Sequence, residues 1–158
     1  MADVFVTHLD WTGAARGPAR DPRTFSRDLA LAVADLDIPM SSAPGYRGDP
    51  ARVNPEQLFV GSLSACQALT YLFLAAKHGV GVVGYVDDAE GRLAVVDGRV
   101  RMSRVTLRPR ITLEPGADDA VARELVGKAH DGCFIANSVA TPVDIEPTFA
   151  FSEAAAAR

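Results

Sequence analysis

The stretch NPEQLFVGSLSACQALTYLFLAAKHG, Asn54 to Gly79, decides how this chain folds. Asn54 is a capping residue, Pro55 suits the first helical position, and Glu56 in the first turn favours the positive end of the helix dipole. The predicted helix runs to about Lys77, where His78-Gly79 forms a C-terminal stop. Its apolar residues, from Leu58 and Phe59 through Leu63 and Leu69 to Tyr71, Phe73 and Leu74, surround nearly the whole circumference. A helix apolar on all sides is a core helix. A domain this small is short of chain to cover it, so full burial points to a second subunit. Ser62, Ser64, Cys66, Gln67 and Thr70 interrupt the apolar run and argue for a buried helix rather than a membrane span. The N-terminal Met-Ala-Asp-Val-Phe-Val-Thr-His has no basic region followed by an apolar run, so the expected location is cytoplasmic, with no membrane partner.

Outward from this helix, the N-terminal side reads as a strand over residues 1 to 12, a Gly/Pro/Arg-rich turn from Gly13 to Arg23, and a strand from Thr24 to Val33. Pro39 to Val53 reads as a long loop, a length that compact domains usually keep for function. On the C-terminal side, three strands are expected: Val80–Asp87, Arg92–Val96 and a long Arg99–Leu113. The turns Asp88-Ala89-Glu90-Gly91 and Asp97-Gly98 separate them. Val121, Leu125, Val126 and Ala129 predict a helix over 118–130. Gly132 ends it, Cys133 to Val139 forms a further helical turn or two, and Val143 to Phe151 closes as a strand. The Ala-rich tail, 152–158, is expected to fray. No repeat or linker divides the chain, which reads as one α+β domain over 1–158.

The 158 residues carry a net charge of −4 and 48% hydrophobic residues, values of a globular protein with no concentrated basic face. Nucleic acid is therefore not an expected partner. The two cysteines, Cys66 and Cys133, are either packing or chemistry, because stable disulfides are rare in a reducing compartment. Free Cys is among the most buried residue types, so packing alone is the plainer account of each. Two cysteines without Cys-x-x-Cys spacing speak against a zinc site. His78 and His130 read as helix C-terminal charges favoured by the dipole. A thiol peroxidase would need a thiolate nucleophile, a cation or strong donors beside it, and a second thiol to condense with the sulfenic acid. Cys66, Cys133 and an arginine of the preceding loop are candidates, with Glu56 positioned to pin that arginine through a bidentate pair. The plainer accounts are a dipole partner for Glu56 and a solvated loop charge for Arg47 or Arg52.

Three motifs add to this. Tyr46-Arg47-Gly48-Asp49-Pro50 precedes Asn54-Pro55-Glu56-Gln57-Leu58 and Leu63-Ser64-Ala65-Cys66. Downstream come Val105-Thr106-Leu107-Arg108-Pro109-Arg110 and Ala129-His130-Asp131-Gly132-Cys133-Phe134-Ile135-Ala136-Asn137-Ser138-Val139. Together they resemble the OsmC/Ohr family of osmotically inducible and organic hydroperoxide resistance proteins, on its OsmC-like branch, over most of the chain. The resemblance implies an α+β intertwined homodimer, with two long central helices per chain wrapped by antiparallel β-sheets and active sites at the subunit interface. It implies cysteine-based reduction of organic hydroperoxides with no metal, haem or flavin cofactor. By position, Cys66 matches the peroxidatic cysteine and Cys133 the resolving one. Glu56 matches the family's glutamate, and Arg47 the arginine that activates the thiolate; Arg27 or an N-terminal arginine is the alternative. Gln67 stands where relatives often carry an aromatic residue or His, and Phe134 where many carry Pro, which bears on the shape of the pocket.

The resulting expectation is an enzyme. A Cys66 thiolate attacks an alkyl or lipid hydroperoxide, becomes a sulfenic acid, and forms a disulfide with Cys133. An external thiol reductant (a lipoylated protein, a small thiol or a thioredoxin-like protein) then reduces it. The alternative is a non-enzymatic redox-sensing or ligand-binding dimer using the same cysteine pair.

Overall fold

A computed structural model describes residues 3–153; of the tail expected to fray, the part from residue 154 onward lies outside them. The described residues gather into two compact units, one up to Leu58 and one from Phe59 onward.

The first unit holds β1 (His8–Asp10), β2 (Leu29–Val33) and β3 (Leu36–Met40), an antiparallel sheet in the order β1-β2-β3. Two features differ from the sequence reading. The segment 24–28 is irregular because Arg27 turns back on its own chain, its Nη1 donating to the Phe25 carbonyl at 2.5 Å and its Nη2 to the Pro22 carbonyl at 2.6 Å. Part of the expected loop and the residues before it form β3. The β2–β3 turn is a two-residue connection, Val33 pairing with Leu36, in which Ala34 takes a φ of 50°. Glycine normally signals such a turn, so alanine concealed it. Beyond β3 a short 3₁₀ turn, Pro44–Tyr46, leads into Arg47 at φ 65°. Gly48 follows, where a Cβ would lie 1.4 Å from the Ser42 carbonyl oxygen, so the loop closes only with glycine there.

Helix α1 spans Pro55–Lys77, the expected bounds. Its start is a reciprocal capping box: Gln57 N donates to Asn54 Oδ1 at 2.9 Å and Asn54 N to Gln57 Oε1 at 3.0 Å. The second unit then runs β4 (Val82–Asp87), β5 (Glu90–Val96), β6 (Arg99–Leu107), β7 (Pro109–Leu113), α2 (Asp119–Asp131), β8 (Val143–Ile145) and β9 (Thr148–Phe151). The long third strand is two strands, because Pro109 has no N–H to continue one ladder: β6 pairs with β5, and β7 crosses to β4. Pro147 divides the last strand in the same way, and β8 and β9 join the two sheets in parallel with β6 and β7. The sheets are therefore mixed, in the orders β4-β7-β9 and β5-β6-β8, rather than purely antiparallel.

By length and composition α1 could cross a bilayer, yet one stripe of it is packed. Leu63, Gln67, Tyr71 and Ala75, four residues apart, are its fully buried positions. Tyr71 and Ala75 pack with Ile111, Leu113, Ala122, Leu125 and Ala129, while Leu63 packs with Val105 and Leu107. The other faces are open: Leu69 is 70% and Phe73 66% exposed. A single chain thus leaves much of its most apolar helix uncovered, as its all-round pattern predicts.

Candidate active site

Cys66 lies mid-way along α1, half-buried, one residue before the buried stripe position Gln67. Two side chains fix this part of the helix. Ser64 Oγ donates to Asp87 Oδ2 at 2.5 Å, while Asp87 Oδ1 accepts from the Arg108 amide at 2.6 Å; this pins α1 to the corner between β6 and β7. Gln67 Nε2 donates to the Val126 carbonyl of α2 at 3.2 Å. The stripe that aligns α1 with α2 therefore also sets the height of Cys66.

Cys133 comes from the chain just past α2. Asp118 caps that helix, accepting from Val121 N at 3.1 Å, and Gly132 ends it. The chain then coils tightly: Cys133 N donates to the His130 carbonyl at 3.1 Å and Asn137 N to the Cys133 carbonyl at 3.0 Å. Ala136 N points at Cys133 Sγ from 3.5 Å. This places Cys133 at 1% exposure, while the next side chain, Phe134, is 82% exposed. The two free thiols, 67 positions apart in sequence, lie near enough for each to shift the other's ionisation.

Their electrostatics differ. Burial opposes ionisation of Cys66, but the backbone N–H of Ile135, the Cys133 thiol, the N–H of Phe134 and the Thr70 hydroxyl together outweigh it. They hold its pKa below the ordinary thiol value. Burial pushes the Cys133 thiol up, and the neighbouring Cys66 pushes it the same way, against the N–H groups of Ala136 and Ile135. One sulfur is biased toward the anion and the other toward the protonated thiol. Thr70 Oγ1 has a single proton and gives it to the Cys66 carbonyl at 2.8 Å, one helical turn back, so donation to the sulfur is the alternative to this bond.

The other two residues singled out from sequence belong to the first unit. Arg47 is exposed, and its Nη1 donates to the Arg23 carbonyl at 2.7 Å. Glu56 is partly buried, and its Oε2 is buried without a hydrogen-bond partner. No ion pair joins the two among the described residues, so the expected bidentate clamp is absent from the single chain. No group of three or more His, Cys, Asp or Glu side chains suited to a metal ion occurs among the described residues.

Sequence reasoning missed Thr70 and the amides of Phe134 and Ile135. Thr70 carried a usable signal, standing four residues after Cys66 on a helix, where hydroxyls reach back to carbonyls. The amides carried none, because a main-chain donor has no residue type.

A family model described as OsmC-like protein matches residues 48–148. An organic hydroperoxide resistance protein of Xanthomonas axonopodis pv. citri (strain 306) is 30% identical over 148 residues, covering 93% of this chain and 95% of that protein. Among solved structures, an OsmC-like protein of unknown function from Vibrio cholerae O1 biovar eltor str. N16961 superposes with a TM-score of 0.85 at 28% identity, covering 93% of this chain and all of that one (100%). An organic hydroperoxide resistance protein from Elizabethkingia anophelis shares the fold at a TM-score of 0.68 and 19% identity, covering 96% and 100% of the two chains.

Proposed function

The chain belongs to the OsmC-like protein family, and from that premise we propose that it is a thiol peroxidase acting on organic hydroperoxides. The observation that carries this reading is a pair of free thiols that influence each other's ionisation and are shifted in opposite directions, the more acidic one favoured by main-chain N–H donors. A thiolate held by fixed dipoles needs no reorganisation at the moment of attack.

The Cys66 sulfur attacks one oxygen of the O–O bond. That bond breaks, the alkoxide leaves and takes a proton to become an alcohol, and Cys66 becomes a sulfenic acid. Cys133 condenses with it, releasing water and forming the 66–133 disulfide. Two thiols of an external reductant then exchange with the disulfide and restore both cysteines. Arg47 is assigned to the departing peroxide oxygen, as the cation that meets developing negative charge. Glu56, whose buried oxygen lacks a partner in the single chain, is assigned as the acceptor that orients the Arg47 of a second copy. The open apolar face of α1, with Leu69 and Phe73, supports a homodimer in which a second copy covers that face. The expected setting is the cytoplasm, where a reducing pool keeps the cycle running.

The test adds one equivalent of cumene hydroperoxide to reduced protein and maps disulfides by mass spectrometry, alongside turnover with a dithiol. A 66–133 bridge and sustained turnover that Cys66→Ser abolishes are expected. Turnover by Cys66→Ser would end this reading. A bridge that forms once with no sustained turnover would assign the pair to redox sensing instead.

A further inference from the structure

The first unit carries a cluster of arginines of which the thiol chemistry proposed above uses only Arg47. A cavity of about 340 Å³ is lined by Arg16, Arg23, Arg27 and Arg47 together with Asp28 and Asp49. Asp28 is already neutralised within the unit, by Arg16 at 2.9 Å and by Arg52 at 3.8 Å, and Arg52 also reaches Asp49 at 3.4 Å. Arg23 pairs with Asp21. Arg27 and Arg47 have no carboxylate partner among the described residues of the unit; each gives hydrogen bonds only to backbone carbonyls. Those bonds fix the two guanidiniums in place and leave most of their five donors open. In a chain of net charge −4, an excess of immobilised positive charge in one concavity is a local departure from the whole.

The cavity has an apolar annex. Arg27 stacks on the Phe25 ring, 4.0 Å from its centroid, and the other side of that wall opens onto a space of about 150 Å³ lined by Trp11, Phe25, Leu29 and Pro55. Charge and grease thus meet at Phe25 and Arg27. The two wall carboxylates weigh against a dianion, which would face them across the cavity, whereas a planar monoanion matches one guanidinium fork.

We propose that this cavity is a binding site for an amphiphilic carboxylate, its head on Arg27 and its alkyl or aryl body against Phe25 and Trp11. The site uses residues 11–55 alone and requires neither cysteine nor a peroxide bond in its ligand; of the groups assigned above it shares only Arg47, a lining residue that the carboxylate head on Arg27 does not need.

Trp11 is the single tryptophan of the chain and lines the annex, so its fluorescence reports occupancy directly. Decanoate, below its micelle concentration, is titrated into the reduced full-length protein, with decanol (tail without charge) and acetate (charge without tail) as controls. A saturable change in Trp11 emission is expected, with apparent affinity for decanoate about tenfold above that for decanol and no response to acetate. Arg27→Ala is expected to lose about tenfold in decanoate affinity, and Arg27→Lys less, because the charge stays but the fork is lost. Raising NaCl from about 50 to about 500 mM is expected to weaken wild-type binding several-fold. Equal titration by decanoate and decanol overturns the proposal, as does an Arg27→Ala variant with native emission and wild-type affinity. If Arg27→Ala does not fold, the salt series on wild type decides, and a salt-independent affinity overturns it. Cys66→Ser is expected to bind decanoate like wild type, so failure of binding and failure of the peroxidase reading are told apart.

Discussion

The two units handle negative charge with different materials. Around Cys66 the stabilising groups include main-chain N–H donors of a tight coil after α2, held by the fold. In the N-terminal unit they are guanidiniums on long side chains, two of them, Arg16 and Arg23, more than half exposed. The difference matters because a backbone dipole cannot swing away and is little screened, whereas an exposed cation pair is worth at most about 1 kcal/mol and weakens with salt. The first arrangement suits a reacting atom that must be held as an anion. The second suits a ligand that comes and goes.

Four experiments test that contrast. The largest effect is expected from Cys133→Ser, which removes the resolving thiol: steady-state peroxide turnover should fall by about two orders of magnitude or more. Stopped-flow traces should still show one rapid oxidation of Cys66. If turnover persisted, the two sulfurs would not be working as a pair.

Next comes Gly48→Ala in the arginine-bearing loop. Its new Cβ would fall 1.4 Å from the Ser42 carbonyl oxygen, so the loop must shift. A loss of about 1–3 kcal/mol in denaturant unfolding is expected, the usual cost of forcing atoms into filled space.

A smaller, more diagnostic effect belongs to Ile135→Pro. Residue 135 has φ −71° and ψ −42°, a backbone that proline accepts, so the change chiefly deletes one donor to Cys66. The Cys66 pKa should move up toward the ordinary thiol value of about 8.5. In the wild type the depressed pKa means that alkylation by iodoacetamide persists as pH falls below the ordinary thiol range. The rate drops only once pH passes the folded-state value. The proline variant should lose that reactivity at higher pH, while Ile135→Ala keeps the wild-type profile. Identical profiles for all three would mean that side-chain charge, not amides, sets the acidity.

The smallest effect is Asn54→Ala, which removes half of the reciprocal cap on α1. About 1 kcal/mol of stability should be lost in thermal or urea unfolding, with the Cys66 pH profile unchanged.

Much of this was legible before any coordinates. Asn54, Pro55, Lys77 and Gly79 bracket α1 because capping and stop chemistry are local, and the same holds for Asp118 and Gly132 around α2. The hairpin at Asp97-Gly98 was legible for the same reason: both residues take positive φ, 51° and 74°, as their types favour. Strand boundaries were less so. Pro109 and Pro147 are visible in the sequence, but the sheet that each following strand joins is a tertiary choice. Ala34 at positive φ hid β3 altogether. Cys66 and Cys133 could be picked out as types, yet their mutual influence depends on the α1 and α2 stripes packing at one register, which spacing along the chain does not encode. The pairing expected between Arg47 and Glu56 assumed that neighbouring charges meet, whereas Arg47 found a carbonyl first.

The depth of Cys133 has a consequence for recycling. With 1% of its surface open, it offers an incoming thiolate almost no line of attack, while Cys66 is only half-buried. Nucleophilic exchange at sulfur demands access to the atom attacked. In the cycle proposed above, the donor would therefore couple to position 66, with the hidden sulfur departing as the leaving group. A covalent adduct trapped midway through regeneration should carry its cargo on residue 66.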